Sequence, residues 1–369
     1  MNNDVLIQKA LRYQENAHAV IDEMLTDSKD LNDYLVNPKI ATNIMYGQNT
    51  NGPGMRMGLK IANNGTEEDY SSFKMTNNAL SQFATKNKIP GAYLSTLSTG
   101  QPWERNLAGI IMNNHSHNHE GRKVLIRTVR DEVRGYLSST YDRYSSVEVF
   151  KDFIKIAQDN NAVISNAYYN DISAYVEALV IDPVTIAGEE WLYGVQFRNS
   201  DFGGAALDMK LMLVKLICTN GMTRNSLLRK IHRSSEISST NVKLSEDTLY
   251  HNTMAKKGII RDFAAHIFNR DNILAEANML ESVGRIQIET DEVIKRLPSM
   301  GATLDDIEEV QSLLMNNAPH TGVVNGGNVL RVSNAVSYLA NTVDEADRIA
   351  NYKDISGKLI THYSQLIAN

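Results

Sequence analysis

Arg127, Arg130, Arg134 and Arg143 interleave with Tyr136, Tyr141 and Tyr144 in the stretch RTVRDEVRGYLSSTYDRY. Guanidinium groups meet phosphates and aromatic rings stack on bases, so a positive groove with aromatic platforms suits single-stranded nucleic acid. On a strand, Arg134 and Tyr136 project from one face while Val133, Gly135 and Leu137 take the other. Arg198 and Asn199 in the turn after Phe197, then Lys210, Lys215 and Arg224, extend the same track. The ten residues Arg127, Arg130, Arg134, Tyr136, Arg143, Arg198, Asn199, Lys210, Lys215 and Arg224 form the candidate nucleic-acid-binding set. The plainer reading is that the arginines pair with Asp131, Glu132, Asp142 and Asp201 to orient turns.

Other chemistry is thinner. His115, His117 and His119, followed by Glu120, are spaced so that an extended loop would turn all three imidazoles one way, toward a divalent metal. The surrounding asparagines read instead as a solvated loop, so no metal is expected. Asp131, Glu132, Asp171 and Glu177 lie on or near expected strands, where convergence on a metal ion would suit a nuclease; turn acidity explains them more simply. Phosphate loop, nucleophile elbow, HExxH and cysteine ligand set are all missing from the sequence. A protein without catalytic residues or cofactor is the expectation. The lone Cys218 stands in an apolar run and is expected to be a buried, inert thiol.

Net charge is −6 over 369 residues, which argues against wholesale binding to a polyanion. The charge is uneven, however. From Arg122 to Arg143 six basic residues face three acidic ones, and from Lys210 to Arg233 there are six basic residues and no acidic one. Beyond Glu289 the chain leans acidic, so any nucleic-acid contact would be confined to one face. A single cysteine, no leader-like N-terminus and no long apolar run together predict a cytoplasmic protein with no membrane span.

The elements that must position these residues read as follows. A helix is expected over residues 4 to about 36, because Leu6, Ala10, Tyr13, Ala17, Val20 and Met24 recur at spacings of four and three. That stripe either docks on its own core or serves self-association, and a homo-oligomer is expected. Residues 37–72 read as loop with one short strand over 55–61. Helices follow at Thr76–Lys86, from Gly91 and around Asn106–Met112. A hairpin over Val124–Leu137, a helix capped by Ser146, and strands at 163–169, 173–181, 191–197 and 205–217 complete the middle of the chain. After about Ser235 everything reads as helix. The expected class is α+β, a curved, mainly antiparallel sheet with packed helices, plus an N-terminal helix and a C-terminal helical region. The expected division is 1–50, an α+β core over 51–235, and 236–369.

Arg198-Asn199-Ser200 with Gly203-Gly204, then Leu216 to Met222 (LICTNGM), resembles the phage- and plasmid-borne family known as domain of unknown function nine-three-two. Ala79–Leu94, Arg127–Tyr144 and Asn334–Ala340 agree with it in order. The resemblance implies a mobile-element setting and an intracellular host-cell location, with no settled activity. With the basic hairpin it points to a non-enzymatic phage or plasmid protein that binds or anneals single-stranded DNA in recombination or replication. The alternatives are a structural or host-interaction protein, for instance a defence inhibitor working through protein partners, and a metal-dependent nuclease.

Overall fold

Polar segments can be strands when a neighbour pairs with them, and that governs the first third of this protein. The computed structural model describes residues 17–49, 52–63, 67–118, 123–186, 188–215, 220–230, 245–316, 328–343 and 345–368. Helix α1 (residues 17–29) ends before Leu31, where strand β1 (Leu31–Val36) begins. The sequence reading carried that helix to residue 36. It stops earlier because Leu31–Val36 pairs residue by residue with Val124–Val129. After the short α2 (Pro38–Ala41) come three further strands, β2 (Thr42–Asn49), β3 (Gly52–Asn63) and β4 (Glu67–Met75); β3 contains the expected short strand over 55–61, and the other two occupy expected loop. They form an antiparallel meander, each strand registered on the next.

Helices α3 (Asn77–Lys86), α4 (Gly91–Thr99) and α5 (Pro102–His117) follow. Thr76 caps the first by accepting from the Ala79 N–H, as Thr/Ser residues do at helix starts. The hairpin β5 (Val124–Val129) and β6 (Glu132–Ser138) is where the alternation placed it. Its two strands complete a six-stranded sheet in the order β1-β5-β6-β4-β3-β2. Only the β4–β6 contact is parallel, and the sheet curls into a mixed half-barrel. Inside it pack Met55, Met57, Leu59 and Ile126, with Phe83 of α3 edge-on to Tyr136 at 5.0 Å.

The second sheet is antiparallel throughout, in the order β11-β10-β9-β8-β7. Its strands are β7 (Ala162–Tyr169), β8 (Ala174–Ile186), β9 (Glu189–Asn199), β10 (Leu207–Lys215) and β11 (Asn220–Lys230). The hairpin and the Trp191 strand therefore lie in two different sheets, where a single one had been expected. Gly194 sits mid-sheet because a Cβ there would meet the Ala178 carbonyl oxygen at 1.9 Å. Helix α6 (Ser146–Asp159) lays Phe150 and Phe153 on Phe197 of β9, with ring centroids 4.6 and 4.9 Å away.

The C-terminal region is helical, as expected. It runs through α7 (Glu246–Ile267), α8 (Arg270–Gly284), α9 (Thr290–Ile294), α10 (Leu297–Met300), α11 (Leu304–Met315), α12 (Asn328–Leu339) and α13 (Ala346–Ala368). Their apolar faces join the second sheet and α6 in one continuous core. Ala17, Val20, Ile21 and Met24 of α1 belong to that core too. Over its described part, the N-terminal stripe docks on its own protein. Leu6, Ala10, Tyr13 and Cys218 lie outside the described residues. No helix among the described residues is long and apolar enough to cross a membrane.

Candidate functional site

The register that pairs β1 with β5 sets Asp33 directly opposite Arg127. The result is a forked ion pair, with Arg127 Nε donating to Asp33 Oδ1 at 2.8 Å and Nη2 to Oδ2 at 3.1 Å. Such two-point carboxylate pairs are strong because both hydrogen bonds are charge-assisted. The remaining arm crosses to the loop between β9 and β10, where Nη1 donates to the Asp201 carbonyl at 2.8 Å. Arg127 is thus a tie between the two sheets, its side chain 3% exposed.

The loop it reaches is stitched from every side. Tyr141 donates its hydroxyl proton to the Ser200 carbonyl and accepts from the Gly203 N–H. Tyr144 donates to Asn199 Oδ1 at 2.8 Å, the Asn199 amide donates to Ser146 Oγ at 2.6 Å, and Ser146 donates on to Asp201. Asn78 and Gln82 of α3 both donate to the Phe202 carbonyl. Gly203 takes φ +76°, and a Cβ there would also meet Leu137 at 2.5 Å, so the turn requires glycine. Ser145 rather than Ser146 caps α6, which leaves the Ser146 hydroxyl for this network.

A second knot lies beside the first. Asp27, near the end of α1, receives Arg134, Arg130 at 3.1 Å and the Tyr169 hydroxyl at 3.0 Å. Arg143 completes the first knot, 3.6 Å from Asp33. Arg127 and Arg143 against Asp33 and Asp201 balance formally, so the junction has no net charge to offer a ligand. Burial alone would lower the Arg127 pKa, but Asp33 and Asp201 outweigh it and hold the guanidinium firmly charged. Burial likewise pushes the Asp33 carboxyl up, yet Arg127 and Arg143 more than reverse this and keep it below its ordinary 3.8. At Asp201 burial prevails over Arg127 and Ser146, and its pKa is raised.

The two carboxylates therefore act oppositely in acid. Asp33 contributes stability above about pH 4 that is lost as pH falls through its lowered pKa, whereas Asp201 gives up a cost as it takes its proton earlier. Mild acidification is expected to leave this junction intact, with its contribution failing only below 3.8. Urea midpoints measured across an acid pH series check this. Asp33→Asn should flatten the steep acid limb, and an unchanged limb would remove the junction from the account.

Three residues along the strands from the β9–β10 turn, the second sheet carries another buried polar layer. Tyr175 donates to Glu177, Gln196 donates to the Tyr175 hydroxyl at 3.0 Å, and Lys353 of α13 reaches Glu177 Oε1 at 2.6 Å. The next residue, Asp354, accepts both from Lys210 at 2.6 Å and from Thr223 at 2.7 Å. Adjacent residues of opposite charge on α13 thus neutralise Glu177 and Lys210, which the β8–β9–β10 register places in one row.

The ten sequence-chosen residues now have places. Arg127, Arg134 and Arg143 are spent on Asp33, Asp27 and Asp33 respectively, and the more exposed Arg130 on Asp27 and Asp30. Tyr136 is fully buried against Phe83, which leaves no ring face for a base. Asn199 is buried in the junction, Arg198 donates to Ser173 at 3.2 Å, and Lys215 is buried. Lys210 is held by Asp354. Arg224 lies on β11, with its side chain outside the described residues.

The plainer reading had the right role for the arginines but mostly different carboxylates. It included Asp201 and Glu132, which lies 3.5 Å from Arg134, but missed Asp27, Asp30 and Asp33. Those three sit in the segment read as the end of a helix, where a strand's register was invisible. The expected histidine loop is helical through His117, so His115 and His117 point about 200° apart around α5. Among the described residues, no three His, Cys, Asp or Glu side chains gather as metal ligands. Comparison with protein-family models, with curated proteins and with solved structures gave no match.

Proposed function

We propose that this chain is a non-enzymatic protein that works through macromolecular contacts, with protein partners as its principal targets. The observation that supports this reading is the internal use of the arginines: Arg127, Arg134 and Arg143 already hold Asp33, Asp201 and Asp27. A single strand needs uncompensated positive charge, because its affinity comes from releasing counterions bound to phosphate. The resemblance to a mobile-element family agrees with a structural or host-interaction role.

One observation favours single-stranded nucleic acid as a second reading. The basic run without an acidic residue continues on β11, the edge strand of its sheet, through Arg224, Arg229 and Lys230. Titration of a labelled single-stranded oligonucleotide separates the two readings. The leading one expects no salt-sensitive affinity even at ~50 mM salt, where phosphate contacts are strongest. The second expects binding whose log–log salt slope falls by about 0.7 for each of these three residues changed to Gln. Binding lost in Arg127→Gln protein of unchanged stability would overturn the assignment of that residue as an internal tie.

A further inference from the structure

The half-barrel is an insertion. Among the described residues, the chain passes from α1 to β1 at Asp30 and runs through α2–α5 and all six strands of the first sheet. It then leaves β6 at Ser138 for α6. Residues 31–138 thus hang on two crossings, while α1, α6, the second sheet and the C-terminal helices form the rest. The two bodies have separate cores. Ile44, Met57, Leu59 and Phe83 belong to one, and Met24, Phe150, Phe197 and Leu280 to the other. From β1 onward, no described strand or helix of the half-barrel packs on one of the other body at more than isolated points.

What joins the bodies is polar. Arg130 and Arg134 of the β5–β6 hairpin reach Asp27 of α1, and Arg127 reaches the Asp201 carbonyl at 2.8 Å. Asn78 and Gln82 of α3 donate to the Phe202 carbonyl at 3.1 and 2.6 Å. Phe202 itself sits buried in the seam, under the Arg134 guanidinium. A small apolar patch of Leu125, Leu137 and Tyr141 lies against Gly203 and joins neither core. Beyond it the return crossing is fixed to the second body. Lys256 of α7 holds Asp142, and Asn252 donates to the Arg143 carbonyl at 2.6 Å. Bending is thereby confined to Ser139 and Thr140 on one crossing and to Asp30 on the other.

We propose that the half-barrel moves as a unit about these two crossings, with the arginine–aspartate seam as the latch that holds it closed. Units of one chain move relative to each other unless a large apolar interface prevents it, and this interface is made of ion pairs and hydrogen bonds. Hinges absorb such motion in a few residues at element ends while the packed bodies stay rigid. Opening frees Arg130 and Arg134 from Asp27 and uncovers the β9–β10 loop, with both cores intact. Arg127 stays on Asp33, because both belong to the half-barrel. The motion holds whichever of the two functional readings is right.

Native-state hydrogen exchange read by mass spectrometry tests it. Asp27→Asn should speed exchange in the loop 199–204 by about tenfold or more, the equivalent of one hydrogen bond to a charged group. The interior strands β3 and β9 should keep their protection. Asn78→Ala, which cuts a different crossing bond, should act in the same direction, so a fold defect peculiar to the Asp27 variant cannot decide the result. Phe83→Ala, in the half-barrel core, should speed exchange in β3 and leave β9 unchanged. Loop protection unaltered in both seam variants overturns the proposal. So does a Phe83 variant that deprotects β9 as much as β3, because the protein would then open as one cooperative unit.

Discussion

Arg127→Met will lower the free energy of unfolding by about 3–5 kcal/mol, the usual cost of removing one partner from a buried ion pair. The size follows from what stays behind. Asp33 keeps its carboxylate with only Arg143 nearby, and the Asp201 carbonyl loses its 2.8 Å donor. Methionine fills much of the volume, so little of the loss comes from an empty cavity. Arg127→Lys should recover only part, because an ammonium cannot fork over Asp33 while also reaching the Asp201 carbonyl. Urea unfolding of the three proteins measures this. A loss below ~1 kcal/mol would place the pair with the weak, solvated class of salt bridge. It would also free Arg127 for the ligand-binding role first read from its sequence context.

Phe197→Ala will cost a similar amount, about 3–5 kcal/mol, through a different mechanism. Phe197 is wholly buried, with the rings of Phe150 and Phe153 against it. Truncation removes the apolar contacts and leaves a hole that a rigid β9, hydrogen-bonded on both sides, cannot collapse to fill. Phe197→Leu should lose much less, since it keeps most of the buried volume. If the two variants proved equal, packing between α6 and the second sheet would not be what Phe197 supplies.

Both residues were visible in the sequence, but with unequal clarity. Phe197 stood in an alternating run, and the stripe Val149, Phe153 and Ile156 announced a helix face needing a partner. Burial was the natural inference for each. Arg127 looked like a phosphate ligand because guanidinium chemistry is the same whether it meets a phosphate or an aspartate. Its partners lie 94 and 74 residues away in the chain. The one signal available was acidic residues at Asp27, Asp30 and Asp33, spaced by three within the stretch read as helix.

Local determinants were enough for α3 with its Thr76 cap and for the β5–β6 hairpin. Each is specified by caps, turns and periodicity within about ten residues, and each stood close to where the sequence placed it. The strands β1, β2 and β4 were not legible. Segments such as LNDYLV and EEDYSSFKM carry no clean alternation, and they become strands because a neighbour supplies the hydrogen bonds. The division into two sheets and the neutralisation of Lys210 by Asp354 likewise depend on pairings far apart in sequence. The sequence by itself determined most of the helices, the hairpin, the α+β class and which residues carry charge. Only the tertiary structure decided where that charge is spent, because a guanidinium's state depends on the carboxylates within a few ångströms, and strand register selects them.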